Sequence, residues 1–489
     1  MELKNLKMLL KSALGSISIN GLDDIMITGV SCNSKAVKEG HLFVAIRGEK
    51  FDGHEFLNEA YERGARVAIV ETGNGDTPGI KKVKVADTRI ALAAIAAEYY
   101  CHPSRRLKVV GITGTNGKTT TSYLVKNILS CSKEDAGLIG TISYKIGQRD
   151  IPATNTTPGP LELQSLLAQM GSLGLHYCIM EVSSHAMEQH RVDGINFCGA
   201  AFTNLTPEHL DYHKDMESYF NAKLKLFQNL SPDSFAVLNV DDEYGKRITG
   251  LTQAKAITFG LKNKADIMGS SIRLSLEGIQ VAIRTPEGDF TVDSKLIGAH
   301  NVHNILAATG IGIGLGLGLE GIKKGIEGLK GVPGRLEAVD CGKPFKVFVD
   351  YAHTPDALEK LLLALKPLVQ HGKLILIFGC GGDRDRMKRP LMGKVAARLS
   401  DILILTSDNP RSEEPQAIIG EIENGINGSC HYMKEVDRLE AIKRGLSIAS
   451  QDDIVVIAGK GHEVYQIFKD VTVPFDDRDV VKKILLNDY

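Results

Sequence analysis

Gly111-Ile112-Thr113-Gly114-Thr115-Asn116-Gly117-Lys118-Thr119-Thr120 is the stretch whose reading decides the fold. It lies between a largely apolar segment, 107–112, and a helical pattern over 121–129. Strand, glycine-rich turn and helix in that order make an anion cradle. Bare glycine Cα atoms let backbone N–H groups approach phosphates, and the helix N-terminus adds its dipole. Lys118 neutralises phosphate charge, and the Thr119 hydroxyl suits a Mg²⁺ ion. The spacing departs from the strict Walker A pattern, which needs glycine at the position of Ile112. An ordinary glycine-rich turn does not require Gly117-Lys118-Thr119 at a helix start, so the reading is nucleotide binding.

The bulk numbers set the frame. At 489 residues the chain exceeds one ordinary core, and about two to four domains are expected. With 58 basic and 59 acidic residues there is no electrostatic footprint for nucleic acid. Met1-Glu2-Leu3-Lys4 leads into an amphipathic pattern rather than a signal-peptide core. The longest uncharged apolar stretch, 305–319, is too short for a membrane span and is loaded with glycine; it reads as a closely packed helix followed by a loop. The 8 cysteines are scattered without CxxC pairs, which indicates neither a zinc ribbon nor a disulfide scaffold. The expectation is a soluble cytoplasmic protein with no nucleic-acid and no membrane partner.

Strand-like runs alternate with helical patterns throughout, which predicts α/β layers. Strands are expected at 42–46, 67–70, 108–112, 178–182, 236–240, 346–350, 374–378, 402–406 and 454–458, with helices at 57–63 and 357–365 among those that follow them. Three blocks are natural: 1–87, 88–332 and 333–489, the last two divided at the punctuated linker Gly331-Val332-Pro333-Gly334. In the third block three strands end in Gly- and Asp-rich turns, where open α/β sheets bind ligands.

Glu181 follows the apolar run 178–180 and leads into Val182-Ser183-Ser184-His185. A carboxylate at a strand end near a phosphate loop suits Mg²⁺, because hard cations take oxygen ligands; the local sequence leaves a solvated Glu open as the other reading. Glu208-His209-Leu210-Asp211-Tyr212-His213 is dense in ligand types. A zinc-protease helix needs Glu directly after its first His, where Leu210 stands, so a role beside nucleotide-bound Mg²⁺ is the better reading. Lys223 reads locally as a solvated helix lysine.

In the third block, Phe378-Gly379-Cys380-Gly381-Gly382-Asp383-Arg384 ends a strand with flexible backbone and a basic group; it is not the dinucleotide fingerprint, since Arg384 occupies the third glycine position. Asp408-Asn409-Pro410-Arg411 puts an arginine on a proline turn, suited to bidentate carboxylate recognition. Ala458-Gly459-Lys460-Gly461-His462-Glu463 repeats the arrangement, with Glu463 able to hold an ammonium group. Asn263-Lys264-Ala265-Asp266 and Asp242-Glu243-Tyr244-Gly245 match two GTPase patterns but lie too close together for that order, and are read as coincidence.

Taken together, these motifs resemble the Mur ligases of bacterial cell-wall synthesis, over essentially the whole chain. Gly114-Thr115-Asn116-Gly117-Lys118-Thr119-Thr120 looks like the family's ATP loop; Asn155-Thr156-Thr157, Glu181-Val182-Ser183-Ser184-His185, Gln189-His190-Arg191 and His209-Leu210-Asp211-Tyr212-His213 match central segments. Asn301, Asn304, Arg335, Asp350 and His353 complete the nucleotide site in the resemblance. It implies a small N-terminal UDP-binding α/β domain (1–87), a central P-loop ATPase-like α/β domain (88–332) and a C-terminal Rossmann-like α/β domain (333–489) that binds an amino acid.

The implied activity is ATP-driven amide ligation through an acyl phosphate. The implied substrates are UDP-N-acetylmuramoyl-L-alanyl-D-glutamate and meso-diaminopimelate, and a monomer is expected. By the resemblance Lys118, Glu181, His209 and Lys223 are catalytic. Thr119 and Glu181 hold one Mg²⁺, His209 helps hold a second, and Lys223 carries a CO₂-derived carbamate that supplies anionic oxygen. Cys32 and Ser34 lie near the uridine, with Asn33-Ser34-Lys35 in place of the more usual Asp-Ser-Arg; Glu49, Lys50 and Phe51 form a second contact loop. Asn155, Thr156, Thr157, Ser183, Gln189 and Arg191 line the muramoyl-dipeptide path. Arg384, Asp408, Asn409, Pro410, Arg411, Gly459 and Glu463 take diaminopimelate, whose distal carboxylate lysine lacks. The alternatives are a lysine-adding ligase of the same family, folylpolyglutamate synthase, and a nucleotide-binding regulator that has lost catalysis.

Overall fold

The computed structural model describes residues 3–15, 22, 25–48, 51–72, 79–340, 342–369, 371–428 and 430–486. They pack as two compact units: Met1–Gly114, Lys133–Leu238 and Asp242–Ile257 form the first, and Thr115–Ser132, Asn239–Asp241 and Thr258–Tyr489 the second.

The first unit begins with an all-parallel four-stranded sheet in the order Gly29–Ser31, His41–Val44, Val67–Val70, Lys81–Lys84. Side chains alternate across a strand, so Leu42 and Val44 enter one core with Leu6, Leu10, Leu92 and Ile95, while Phe43 and Ala45 enter another with Leu57 and Ala60. Both faces are covered, which is why these strands read as unbroken apolar runs.

A second sheet contributes to this unit the strands Arg149–Pro152, Ser143–Ile146, Ala136–Ile139, Tyr177–Glu181, Lys108–Thr113, Phe197–Phe202 and Phe235–Asn239, in that order. The strands from Ala136–Ile139 onward are parallel, with Glu181 opposite Ile112 and Phe202 opposite Thr113. Chain order reverses across Lys108–Thr113, because Tyr177–Glu181 lies on one side and Phe197–Phe202 on the other. Such a switch point leaves a crevice at the strand carboxyl ends. Gly114, Gly140 and Thr203 follow those ends, and Glu181 is the last residue of its strand.

In the second unit, helix Lys118–Cys131 packs against Leu319–Gly328 at backbone distance: a Cβ on Gly325 would lie 2.3 Å from Ile128 Cα. Helix His300–Gly314 accounts for the glycine-rich run, followed by a non-helical link to Leu319. An antiparallel meander, Ile267–Ser275, Gly278–Thr285 and Gly288–Ser294, precedes it. The sequence reading places no strands there, because one flank of Ile267–Ser275 is exposed and polar (Ser270, Ser271, Arg273) and offers no apolar run.

A further sheet is six-stranded, in the order Glu337–Val339, Lys346–Asp350, Ile454–Ala458, Leu374–Phe378, Ile402–Leu405, His431–Lys434; all but the first strand are parallel. Leu374, Leu376 and Phe378 face one core, and Ile375 and Ile377 the other. Asp350, Phe378, Leu405 and Ala458 end at one edge, which gathers the three turns singled out in the third block. Among the described residues no helix is long and apolar enough to cross a membrane.

Gly325→Ala is expected to lower stability by about 1–3 kcal/mol in a denaturant titration, because the added methyl meets helix backbone that cannot yield. Gly420→Ala, in helix Pro415–Glu423 with open space at its Cβ position, is the control and is expected to gain about 0.5–1 kcal/mol.

Candidate active site

In the first unit, strand Lys108–Thr113 delivers the chain to Gly114 at φ 143°. A Cβ there would lie 2.0 Å from Thr203 Oγ1, so no larger residue fits. Thr203 is itself held by donating its N–H to Thr113 O at 3.0 Å. The Gly114 carbonyl turns inward and accepts from Lys223 Nζ at 3.1 Å. Lys223 is 1% exposed, and its ammonium sits 4.5 Å from the Tyr219 ring centroid.

Glu181 is fully buried at the neighbouring strand end. Thr141 donates its N–H to Glu181 Oε1 and its hydroxyl to Oε2, each at 3.0 Å. Gly140 makes this possible, since a Cβ there would stand 2.4 Å from Oε1. The Thr157 hydroxyl donates to the Glu181 carbonyl at 2.8 Å and accepts from Ser183 N–H at 3.0 Å. Ser183 then caps helix Ser184–Glu188 by accepting from Ala186 N–H.

That helix presents His185 to a ring cluster: His209 at 4.8 Å, Tyr212 at 4.3 Å and His213 at 5.5 Å between centroids. His209 is in the left-handed region (φ 56°) and caps the short helix Leu210–His213. His209 and His213 therefore do not share a helical face: His213 turns inward, with Nε2 2.9 Å from Ser184 Oγ. Arg191 donates to Gln189 Oε1 at 3.0 and 2.6 Å and to Thr157 O at 2.9 Å. The backbone of Asn155 is clasped by the Tyr144 hydroxyl, which donates to Asn155 O at 2.8 Å. Thr156 Oγ1 lies 3.1 Å from Thr141 Oγ1.

In the second unit, Gly117 caps the phosphate-loop helix at φ 88°, and a Cβ on it would stand 2.3 Å from Asn304 Oδ1. Asn304 is held by donating to Asn301 Oδ1 at 2.8 Å, and Asn301 by donating to Ile297 O at 2.8 Å. Lys118 curls over the loop to donate to Thr115 O at 2.9 Å. Arg335 Nη2 reaches Thr119 Oγ1 at 3.4 Å, with its guanidinium 5.0 Å from the Tyr351 ring.

Asp350 takes the Leu336 and Ala352 N–H groups at 2.6 and 2.8 Å, so it shapes the turn that carries Arg335. Burial pushes its carboxyl upward, opposed by Arg335 and by those two N–H groups. Asn116 donates to Asp356 Oδ2 at 3.0 Å, and His353 Nδ1 lies 2.8 Å from Tyr351 O.

At the six-stranded edge the Asp408–Arg411 turn is locked from several sides. Gln466 donates to Asp408 O at 2.8 Å, Ile467 N–H to Asn409 Oδ1 at 3.0 Å, and Arg411 N–H to Ile467 O at 3.0 Å. Arg411 sits at φ 52° and donates to Gly382 O at 2.7 Å. Gly381 leaves the space in which Arg411 Nη1 and Arg384 Cγ lie, 2.9 and 3.8 Å from where its Cβ would be. A Cβ on Gly459 would meet Asp408 Oδ2 at 2.5 Å. Asn409 Nδ2 donates to Glu463 Oε2 at 2.7 Å. Burial pushes the Glu463 carboxyl upward, opposed by Lys460.

Residues 26–100 match the profile described as Mur ligase family, catalytic domain; 112–312 match the Mur ligase middle domain; and 334–461 match the Mur ligase glutamate ligase domain. The protein named UDP-N-acetylmuramoyl-L-alanyl-D-glutamate–2,6-diaminopimelate ligase in Caldanaerobacter subterraneus is 44% identical over 468 residues, 96% of each chain. Its namesake in Clostridium tetani is 44% identical over 481 residues, again 96% of each. The chain belongs to the Mur ligase family. A solved structure bearing the same ligase name superposes with a TM-score of 0.71 at 33% identity, covering 98% of this chain and 99% of that one. A MurF ligase from Thermotoga maritima solved with ADP shares the fold at a TM-score of 0.65 and 20% identity.

For this Mur ligase, the oxygen donors at the first unit's strand ends, the buried Glu181 carboxylate and the hydroxyls around it, are of the kind a hard cation takes. Among the described residues no three His, Cys, Asp or Glu side chains converge as a ready-made metal site. Ser34 donates to Glu59 Oε2 on helix Leu57–Glu62 at 2.6 Å, Cys32 lies just before the turn Ser34–Ala36, and Phe51 is exposed. Glu49 and Lys50 lie outside the described residues.

Sequence reading of this Mur ligase missed Gly140 and Thr141, which orient Glu181, and Thr203, which the phosphate loop abuts. A Gly-Thr pair directly after an apolar strand was the available signal. Gly140→Ala is expected to displace the Glu181 carboxylate and to lower ligation by on the order of 100-fold, as a misplacement of about 1 Å at a reacting centre does. The check is ligation rate beside the melting temperature, which should move little.

Proposed function

We propose that this Mur ligase joins meso-2,6-diaminopimelate to the D-Glu carboxylate of UDP-N-acetylmuramoyl-L-alanyl-D-glutamate, at the expense of ATP. The carboxylate oxygen attacks the γ-phosphorus and the bond to ADP breaks. The diaminopimelate amine then attacks the acyl carbon, loses a proton and expels inorganic phosphate. The observation that carries the choice of amino acid is the locked Asp408–Arg411 turn. It sets the Arg411 guanidinium beside Gly381, while Asn409 of the same turn holds Glu463. A cation and a carboxylate on one sheet edge answer a distal group that is itself a zwitterion.

The roles divide by chemistry. The loop amides and Lys118 bind the β- and γ-phosphates, and Arg335, Asn301, Asn304, Asp350 and His353 shape the rest of the nucleotide site. In the first unit Glu181, His209 and a carbamate on Lys223 are the residues that would hold Mg²⁺, and in the second the Thr119 hydroxyl suits the same kind of ion. When bound, the metal neutralises charge between the triphosphate and the attacking carboxylate. Lys223 suits carbamylation because a buried ammonium is costly, whereas a carbamate supplies anionic oxygens.

Residues 1–87, with Cys32, Ser34 and Phe51, take the UDP end. Residues 88–332 bind ATP and the muramoyl dipeptide through Asn155, Thr156, Thr157, Ser183, Gln189 and Arg191. Residues 333–489 take the amino acid. The enzyme works as a cytoplasmic monomer.

The deciding experiment is phosphate release from ATP and Mg²⁺ with the UDP-dipeptide, comparing meso-diaminopimelate with L-lysine, with mass detection of the product. Turnover with lysine in preference would keep the ligase and overturn the reading of Arg411. Arg411→Ala is expected to weaken productive diaminopimelate use by about 2–5 kcal/mol, the usual loss on truncating one side of a buried charge pair; unchanged kcat and KM would sink that role. Lys223→Ala should nearly abolish ligation while circular dichroism and melting stay near wild type, and full turnover in that variant would end the carbamate assignment.

A further inference from the structure

Lys460 is a buried cation that the reaction as described does not use. Its side chain is 0% exposed, so it acts only through its neighbours. The ammonium donates to Tyr465 O, to Glu463 Oε2 at 3.3 Å and to Asn409 Oδ1 at 3.4 Å. These partners come from separate pieces of the edge. Asn409 belongs to the proline turn, Glu463 to the loop after strand Ile454–Ala458, and Tyr465 to the first strand of the hairpin Tyr465–Phe468 and Val471–Pro474.

The geometry settles which way the Asn409 amide points. Its oxygen faces two donors, Lys460 and the Ile467 N–H, so its nitrogen must face Glu463, to which it donates at 2.7 Å. Glu463 Oε2 thus receives two hydrogen bonds from the protein, while among the described residues none is donated to Oε1. An oxygen on a carboxylate already fixed in rotation is a pre-set acceptor for an ammonium group.

We infer that Lys460 is a positioning residue for amino-acid selection: it holds Asn409 and Glu463 in the arrangement that receives the distal ammonium of the incoming amino acid. The inference rests on the ligase reading given above. Its electrostatic side is consistent, since Lys460 opposes the upward push that burial and Asp408 exert on Glu463. Without the cation, Asn409 Oδ1 keeps only the Ile467 N–H, and Glu463 is left as a buried carboxylate beside Asp408 with one donor in place of two.

The test compares wild type, Lys460→Met and the double variant Lys460→Met/Glu463→Gln. Three readouts apply: KM for meso-diaminopimelate, ADP–ATP isotope exchange with the UDP-dipeptide in the absence of amino acid, and melting temperature. Exchange reports reversible acyl-phosphate formation, which does not involve the amino-acid subsite. Lys460→Met is expected to raise the diaminopimelate KM about tenfold or more, the scale of a lost charge-assisted hydrogen bond, with exchange unchanged. The double variant, with both charges removed, is expected to melt like wild type and keep the high KM.

A wild-type KM in Lys460→Met overturns the role. So does a loss of exchange that matches the loss of ligation, or a double variant that regains the wild-type KM. A wild-type enzyme that ligates neither diaminopimelate nor lysine overturns the ligase reading instead, so the two failures are distinguishable.

Discussion

Two missing Cβ atoms, one in each unit, govern the glycine-rich loop of this protein. Gly114 stands where a methyl would be 2.0 Å from Thr203 Oγ1, and Gly117 where one would be 2.3 Å from Asn304 Oδ1. Both residues have positive φ, and the strand that precedes them ends at Thr113. The close approach also fixes what surrounds the loop. Thr203 is tied to Thr113, Asn304 to Asn301, and Lys223 reaches the Gly114 carbonyl. An anion cradle of this kind needs rigid polar walls, because a loop free to relax would lose the preorganisation that makes its amides effective.

The same logic recurs at the six-stranded edge, with buried ion pairs in place of bare Cα atoms. Arg438 and Asp477 are both 0% exposed and bonded twice at 2.7 Å; Arg438 also donates to Ser407 O and Ala458 O at 3.2 Å. Those carbonyls lie at the starts of the two loops that carry Asp408–Arg411 and Gly459–Glu463. Arg389, also fully buried, joins Gly381 O to Glu413 and Glu421. Buried pairs give little net stability, since desolvation offsets attraction. Their consequence here is geometric: Arg438 ties Ser407 O and Ala458 O to Asp477, and Arg389 ties Gly381 O to Glu413 and Glu421, so the loop ends are held in one arrangement.

Where the sequence was legible, a strong local signal was present. The strands at 67–70, 346–350, 374–378 and 454–458 coincide with the observed ones, because parallel strands covered on both faces read as unbroken apolar runs. The meander Ile267–Ser294 and the hairpin after Glu463 escaped, because their exposed flanks carry polar or mixed residues. Lys223 shows the limit most sharply. Helical spacing makes it one lysine among several, and only packing reveals it as the buried one, against Lys225 on the surface paired to Glu188.

Residue order alone determined the strand–loop–helix unit, the α/β layering and the kinship to Mur ligases, because each depends on contacts between near neighbours or on motifs in fixed order. Tertiary structure decided which polar side chains are buried and what each one faces. Thr141 meets Glu181 across 40 positions, Asn409 meets Glu463 across 54, and Lys223 meets Gly114 across 109. Such pairings follow from strand order in a sheet, and strand order is set by how cores close over both faces. No spacing along the chain carries that information.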